Sequence, residues 1–250
     1  EVILPAYTFF ATISAVLHVG AQPVLVDIDP ETYCMDMGQI RNKITPNTRA
    51  LIAVHLYGHP ADMDILIEMA AEYGFKIIED NAQAIGADYQ GRKAGCLGDI
   101  GCLSFFPSKN LGGYGDGGMA ATNDNNLAQR IKMLRTHGWE KKYFPEILGY
   151  NSRLDPLQAA ILRVKLQHID DWNNRRREIA DFYNRRLSGF SGITTPIETS
   201  GNKHVYHLYV LRLPERDHVQ DYLKQRSIAT GIYYPQPLHL TQACHHLGYR

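Results

Sequence analysis

The chain has 250 residues, 44% of them hydrophobic, and its 26 basic and 26 acidic side chains cancel to a net charge of zero. This composition is typical of a globular protein and argues against a nucleic acid or a membrane surface as partner. No apolar run is long enough to span a bilayer and the first residues lack the pattern of a signal peptide, so we expect a cytoplasmic protein. Four scattered cysteines without a C-x-x-C pair favour neither a disulfide framework nor a zinc site, and we predict no metal.

Strand and helix patterns alternate along the first third of the chain. Apolar runs predict strands at residues 2–4, 23–28, 50–55 and 75–79. Helical spacing of apolar residues predicts helices between them, at residues 9–19, 37–43 and 63–73. Because the apolar residues of the 23–28 strand are consecutive and do not alternate with polar ones, helices should cover both faces of the sheet. The pattern predicts an α/β fold, a three-layer sandwich around a mostly parallel sheet.

The next part of the chain extends this sheet, and the last part has the strand and helix pattern of an α+β segment. We predict a hairpin within residues 86–99, strands at 101–106, 119–122, 205–213 and 230–234, and helices at 125–136 and 218–225. Asp155 and Pro156 suit the start of a long helix that continues to about Leu187, and the arginines within it are typical of a solvated face. The domain boundary is placed inside this helix, with a large α/β domain at 1–169 and a smaller C-terminal α+β domain at 170–250.

A glycine-rich stretch from Ser104 to Gly118, SFFPSKNLGGYGDGG, places a single lysine, Lys109, directly after a predicted strand. Its glycines permit close backbone approach and positive φ angles. The stretch also contains G-x-G-x-x-G, but that dinucleotide fingerprint requires a helix to follow at once, and here a strand-like run follows. We therefore reject a nucleotide loop. An ordinary surface lysine is the simpler alternative for Lys109.

A carboxylate, Asp80, lies 29 residues before Lys109 at the end of another predicted strand. In a parallel α/β sheet, the carboxyl ends of the strands form the edge where ligands bind. Asp80 is equally well explained as the cap of a short following helix. The residues alone leave both interpretations open.

Together these stretches resemble the DegT/DnrJ/EryC1/StrS family of sugar aminotransferases, which have the aspartate aminotransferase fold type I and use pyridoxal 5'-phosphate (PLP). The matching strings cover nearly the whole chain in the family's order. They are PAYTFFAT (5–12), GAQPVLVDIDPETY (20–33), VHLYGHPADMD (54–64), IIEDNAQAIGA (77–87), SFFPSKNLGGYGDGG (104–118) and GYNSRLDPLQAAIL (149–162). Family members carry further segments before and after these strings, so an incomplete chain is expected.

The resemblance implies a role for individual residues. Lys109 would form a Schiff base with PLP and move a proton during the reaction, and Asp80 would pair with the pyridine nitrogen. The other cofactor contacts implied are Gln83 to the oxygen at C3', Phe9 stacked on the ring, and Ser104 and Asn151 at the phosphate. Because the family's asparagine reaches across a subunit boundary, a homodimer with shared active sites is expected.

The resemblance also implies the reaction. The amine acceptor would be a nucleotide-linked keto sugar and the donor L-glutamate, which leaves as 2-oxoglutarate, in amino sugar biosynthesis for a lipopolysaccharide or an antibiotic. Tyr143, Tyr234 and His239 lie where relatives contact the sugar or its nucleotide. The string KNLGGYGDGG resembles members that aminate a 3-keto sugar more than those that act on a 4-keto sugar.

Three other functions compete with this one. Related dehydratases carry histidine in place of the lysine, whereas Lys109 is present here. A PLP-binding regulator without catalytic activity is the second possibility. A dinucleotide-binding oxidoreductase is the third, and it depends on the G-x-G-x-x-G match and the α/β pattern.

Overall fold

Nine strands occur among residues 1–249, the part of the chain that the computed structural model describes. They are β1 (Val2–Pro5), β2 (Pro23–Val26), β3 (Ala50–Val54), β4 (Lys76–Asp80), β5 (Asp88–Tyr89), β6 (Arg92–Lys93), β7 (Ile100–Ser104), β8 (Gly118–Ala121) and β9 (Asn202–Lys203). Six of them form a sheet in the order β2-β1-β3-β4-β7-β8, and β6-β5-β9 form a smaller one. Only β8 runs antiparallel to its neighbour in the larger sheet, which confirms the predicted, mostly parallel arrangement.

Helices connect these strands at the predicted places. They are α1 (Phe10–His18), α2 (Met37–Ile40), α3 (Met63–Tyr73), α4 (Asn125–Leu134), α5 (Pro156–Leu166), α6 (Ile169–Leu187) and α7 (Arg216–Gln225), with short 3-10 turns at Arg41–Lys43, Leu56–Gly58, Leu238–Leu240 and Gln242–Leu247. Local sequence features fix the first residues of two of these helices. Asp124 accepts hydrogen bonds from two N–H groups of the first turn of α4, and Pro156 occupies the first turn of α5. No helix within residues 1–249 is long and apolar enough to cross a membrane.

The core lies on both faces of the larger sheet, because successive residues of a strand point to opposite faces. Leu51 packs into a buried cluster that includes Leu66 of α3. Its neighbour Ile52 packs into a second cluster that includes Ile13 of α1. Helices thus cover both faces, and the predicted three-layer α/β sandwich is confirmed.

The predicted long helix from Asp155 to Leu187 is wrong in one respect, since α5 and α6 are separate helices. Gln167 and His168 donate to the carbonyls three residues before them, so the α-helical hydrogen-bond pattern is interrupted between the two helices. The division into domains at residues 169 and 170 remains a prediction.

The two strands predicted in the last fifth of the chain do not form. Within 205–213, the Val205 N–H donates to Gly58 O and the Leu208 N–H to Tyr57 O, so this segment pairs with a 3-10 turn instead of a strand. At 230–234 the chain is irregular, and the Tyr234 N–H donates to the hydroxyl of Tyr7. Irregular partners satisfy the backbone in both segments, which the apolar pattern alone did not indicate.

A buried pair of side chains, His55 and Glu79, stabilises the sheet next to Asp80. Both side chains are fully buried, and the His55 Nε2–H donates to the Glu79 carboxylate at 2.9 Å because the Ala61 N–H occupies Nδ1. The carboxylate also accepts three backbone hydrogen bonds, from Gly95, Leu97 and Gly98. Burial raises the pKa of Glu79, but the hydrogen bonds outweigh it, and the net pKa lies below the ordinary 4.5.

Replacing Glu79 with glutamine is expected to destabilise the protein by about 3 kcal/mol at neutral pH, because three backbone donors and His55 lose a charged partner. Since the folded-state pKa is lowered, this contribution is complete above the unfolded pKa and is lost as the pH falls through the folded pKa. Urea unfolding at neutral pH and at about pH 3 measures both effects. Equal stability of the wild type and the variant at neutral pH would contradict this account.

Candidate active site

Asp80 is the last residue of β4 and lies at the carboxyl edge of the sheet. One carboxylate oxygen accepts a hydrogen bond from the Thr12 hydroxyl at 2.8 Å, and the other accepts one from the Ala82 N–H at 3.2 Å. The Ala82 contact is a local turn bond, and the short helix that the capping interpretation required does not form after β4. Thr12, in contrast, lies 68 residues away on α1. Asp80 is therefore held in place by a distant helix as well as by its own turn.

Lys109 lies in the turn after β7, the strand next to β4, so its chain segment leaves the sheet at the same edge as Asp80. Its side chain is half-buried. Burial lowers the pKa of the Lys109 ammonium below its usual value, and the negative charge of Asp80 opposes that shift. The charge of Asp80 thus acts on the Lys109 amine, and a partly desolvated amine is suited to nucleophilic and acid–base chemistry.

The glycine-rich loop after Lys109 bends back on itself. A side chain at Gly112 would clash with the carbonyl of Pro107, and the Lys165 ammonium of α5 donates to Gly112 O. Close backbone approach is confirmed, but the predicted positive φ angles are wrong for this stretch, where every glycine has ordinary φ. Strand β8 follows at Gly118 and α4 begins only at Asn125, so the loop does not open a helix as a dinucleotide fingerprint requires.

Gln83 and Tyr234 meet beside Asp80. The Gln83 Nε2 group donates to the Tyr234 hydroxyl at 2.9 Å, and its Oε1 accepts the Tyr57 N–H at 2.7 Å. Burial, with a further contribution from the Asp80 charge, raises the pKa of Tyr234 to about 12, so its phenol stays protonated. An amide nitrogen has two hydrogens, which leaves Gln83 one donor for a ligand.

Phe9 completes this group on the solvent side. Its ring centroid lies 6.0 Å from that of Tyr234, and 54% of the side chain is exposed. An aromatic face at the rim of a polar site offers a stacking surface to a planar ligand. The structure therefore brings together five of the predicted site residues, namely Phe9, Asp80, Gln83, Lys109 and Tyr234.

The remaining predicted residues are Asn151, Tyr143, Ser104 and His239. Asn151 and Tyr143 are exposed and belong to the 137–151 segment, where Tyr143 contacts Trp139 and Lys142. The Ser104 hydroxyl accepts a hydrogen bond from the Phe106 N–H at 3.3 Å. His239 lies in a 3-10 turn. Among residues 1–249, no described hydrogen bond or ring contact joins these four side chains to Asp80 or Lys109, and their roles remain predictions.

The sequence did not indicate two further side chains that lie near Asp80 and Lys109. Thr12 contacts Asp80, and its only sequence signal is its spacing of four from Thr8, whose hydroxyl lies 3.2 Å away. His207 is close enough to Lys109 for the ammonium to act on it, and burial together with that charge lowers the pKa of His207 to about 3. No local pattern marks His207, because it reaches the site through the irregular 205–213 segment.

Replacing Thr12 with valine is expected to lower kcat about 10-fold, because a hydrogen bond to a charged group contributes about 1.5 kcal/mol. Thr12→Ser keeps the hydroxyl and should stay within about 2-fold of the wild type. Steady-state kinetics of both variants provide the measurement. If the valine and serine variants behave alike, Thr12 does not act through its bond to Asp80.

A parallel sheet with a desolvated amine facing a carboxylate at its carboxyl edge is typical of enzymes that hold an aldehyde cofactor. The profile of the DegT/DnrJ/EryC1/StrS aminotransferase family matches residues 1–250, so the chain belongs to this family. The family uses PLP, and matching solved structures contain PLP or its amine form.

Individual relatives are similar over nearly the whole chain. A pleiotropic regulatory protein of Geobacillus stearothermophilus is 50% identical, with 100% of this chain and 68% of that protein covered. UDP-N-acetyl-3-dehydro-alpha-D-glucosamine 3-aminotransferase of Acidithiobacillus ferrooxidans is 48% identical, with 96% of this chain and 64% of that protein covered. The crystal structure of S. venezuelae DesV with a ketimine intermediate matches with a TM-score of 0.96 at 46% identity, covering 98% of this chain and 66% of that one. The chain thus spans about two thirds of these relatives.

The side chains at this site offer the chemical groups that are needed to bind PLP. Asp80 offers an anion to a protonated ring nitrogen, and the lowered pKa of Lys109 suits an amine that must react with an aldehyde. Gln83 has a free donor for a phenolic oxygen, and Phe9 presents an exposed ring. This donor set would hold the aromatic part of the cofactor.

Proposed function

We propose that the whole protein transfers the amino group of L-glutamate to a nucleotide-linked keto sugar. The observation that carries this proposal is the half-buried Lys109 amine, whose pKa burial lowers, acting on Asp80 at the carboxyl edge of the sheet. When bound, PLP supplies an aldehyde for the amino group and a ring that accepts electrons from the reacting carbon.

Lys109 would hold the cofactor covalently and, once displaced by the incoming amine, move a proton to and from the reacting carbon. A neutral amine is needed for both tasks, and burial favours the neutral form. Asp80 would keep the ring nitrogen protonated. Each pKa unit by which it stabilises that protonated nitrogen is worth about 1.4 kcal/mol. Thr12 would fix the carboxylate oxygen that faces the ring.

The position aminated is proposed to be C3 of the sugar. The support is the KNLGGYGDGG string and the name of the 48% identical relative, a 3-aminotransferase of a UDP-linked 3-dehydro sugar. The sugar and its nucleotide would lie against the exposed Tyr143 loop, whose Lys141 and Lys142 can contact a diphosphate. Tyr234 and His239 would border the sugar itself.

The full-length protein, incubated with PLP, glutamate and a panel of nucleotide-linked 3-keto and 4-keto sugars, tests the proposal by mass spectrometry. We expect an amino product from a 3-keto sugar together with 2-oxoglutarate. A product from 4-keto sugars alone would contradict the position, and no product from any sugar would contradict the reaction. The 50% identical regulatory protein favours a second candidate, a PLP-binding regulator, for which the visible absorbance would not respond to glutamate.

We further propose that two copies share each active site, with Asn151 of one copy binding the cofactor phosphate of the other. Asn151 is exposed and can therefore reach a second copy, which supports this arrangement. Lys109→Ala and Asn151→Ala should each be inactive alone. A heterodimer of the two contains one intact site and should regain about half of the wild-type activity. Co-expression with two affinity tags measures this, and no recovery in the purified heterodimer would contradict shared sites.

A further inference from the structure

We propose that Asn110 and Asn173 form a buried amide bridge that sets the position of Lys109 relative to Asp80. Asn173 lies within the polar run of α6, where the sequence favours a solvated face. In the structure its side chain is fully buried, at 0% exposure, whereas its neighbour Asn174 is exposed. A buried amide in a solvated stretch of helix must have partners that compensate for its lost water.

The partners of the bridge are the two loops that carry the site. Asn110 follows Lys109 directly, and its Nδ2 group donates to Asn173 Oδ1 at 2.8 Å and to Val205 O at 3.1 Å. Asn173 Nδ2 in turn donates to Ile85 O at 3.0 Å, in the turn that follows Asp80. An unbroken line of hydrogen bonds thus connects the loop after β4 with the loop after β7 through one residue of α6.

The geometry leaves the bridge little freedom. Gly86, next to Ile85, has φ +84°, and a Cβ atom there would lie 2.6 Å from Asn173 Nδ2, so α6 approaches this turn as closely as glycine allows. The amide orientations are fixed because each nitrogen faces a backbone carbonyl. Asn110 Oδ1 is then left to accept from His207 Nδ1 at 3.1 Å, a second bond from Asn110 to the 205–213 segment. All these groups are buried or half-buried.

The functional consequence of this bridge rests on the proposed PLP chemistry. One cofactor must meet Lys109 at its aldehyde and Asp80 at its ring nitrogen, so the two loops have to keep a fixed spacing. Neither Asn110 nor Asn173 needs to touch the reacting atoms, and both are positioning residues. A shift of the lysine by about 1 Å is enough to cost about 100-fold in rate.

Asn173→Leu tests the inference, with Asn174→Leu as the matched control one position along the same helix. In the full-length protein we expect kcat to fall about 10- to 100-fold in Asn173→Leu, while KM for glutamate and for the sugar changes less than about 3-fold. A second readout needs no turnover. The rate at which the apoprotein attaches PLP to Lys109, followed by visible absorbance, should fall by a similar factor. Asn174→Leu should match the wild type in both.

If Asn173→Leu does not fold, Asn173→Asp provides the test, because it keeps an acceptor toward Asn110 and replaces the N–H donated to Ile85 with a carboxyl oxygen. A folded variant of either kind that attaches PLP and turns over like Asn174→Leu would overturn the inference. A fall in kcat no larger than the unfolded fraction of the variant, measured by thermal melting, would overturn it as well. A wild-type protein that never attaches PLP would instead contradict the proposed function, and with it the consequence drawn here.

Discussion

Replacing Lys109 with alanine is expected to lower kcat by at least about 1,000-fold and to abolish covalent attachment of PLP. The reason is that one amine serves as the tether and as the group that moves the proton. The measurement is the single-turnover rate with glutamate, followed through the visible absorbance of the bound cofactor.

Two controls separate amine chemistry from charge and from general damage. Lys109→Arg keeps the positive charge, but a guanidinium does not lose its proton at working pH, so this variant should be as inactive as the alanine variant. Lys43→Ala removes an exposed lysine in the 3-10 turn after α2 and should leave the rate unchanged. Activity of Lys109→Arg near that of the wild type would show that Lys109 acts only as a charge.

Replacing Asp80 with asparagine is expected to lower kcat roughly 100-fold, the equivalent of about two pKa units at the ring nitrogen. Asparagine keeps the shape of the side chain and can still accept from Thr12, but it carries no charge to stabilise a protonated nitrogen. PLP should still attach to Lys109. The loss should therefore appear in the proton-transfer step, measured with glutamate deuterated at Cα, and not in the uptake of the cofactor.

Asp88→Asn is the matched control, because Asp88 lies on the β5–β6 hairpin and pairs with Lys93. This variant should keep the wild-type rate. If Asp80→Asn loses PLP altogether, Asp80 is a structural residue whose removal opens the site. If it turns over at the wild-type rate, the pairing with the ring nitrogen is wrong.

The sequence predicted the regular part of the fold because its signals are local. Each strand of the parallel sheet is a short apolar run, and α3 was predicted at Met63–Tyr73, the bounds that the structure shows. The resemblance to the family also identified Asp80 and Lys109, which the structure brings to one edge. The positions of residues at strand ends can be predicted, because the carboxyl ends of parallel strands lie at the same edge of the sheet.

The parts that the sequence missed depend on contacts between distant segments. Val205 and Leu208 have the alternation of a strand, but their N–H groups donate to the turn at Tyr57 and Gly58, and nothing local indicates that partner. In the sequence Asn173 cannot be distinguished from its exposed neighbours. Only the fold shows that it contacts Ile85 and Asn110. The glycines after Lys109 are needed because other backbone segments pack closely against them. The φ preference of glycine does not indicate this requirement.

The most direct test of the central claim is to reduce the PLP-loaded protein with borohydride and to locate the pyridoxyl group by peptide mass spectrometry. The account predicts a single modified residue, Lys109, in the wild type, and a visible band that shifts when glutamate is added before reduction. Modification of another lysine, or retention of covalent PLP in Lys109→Ala, would contradict it.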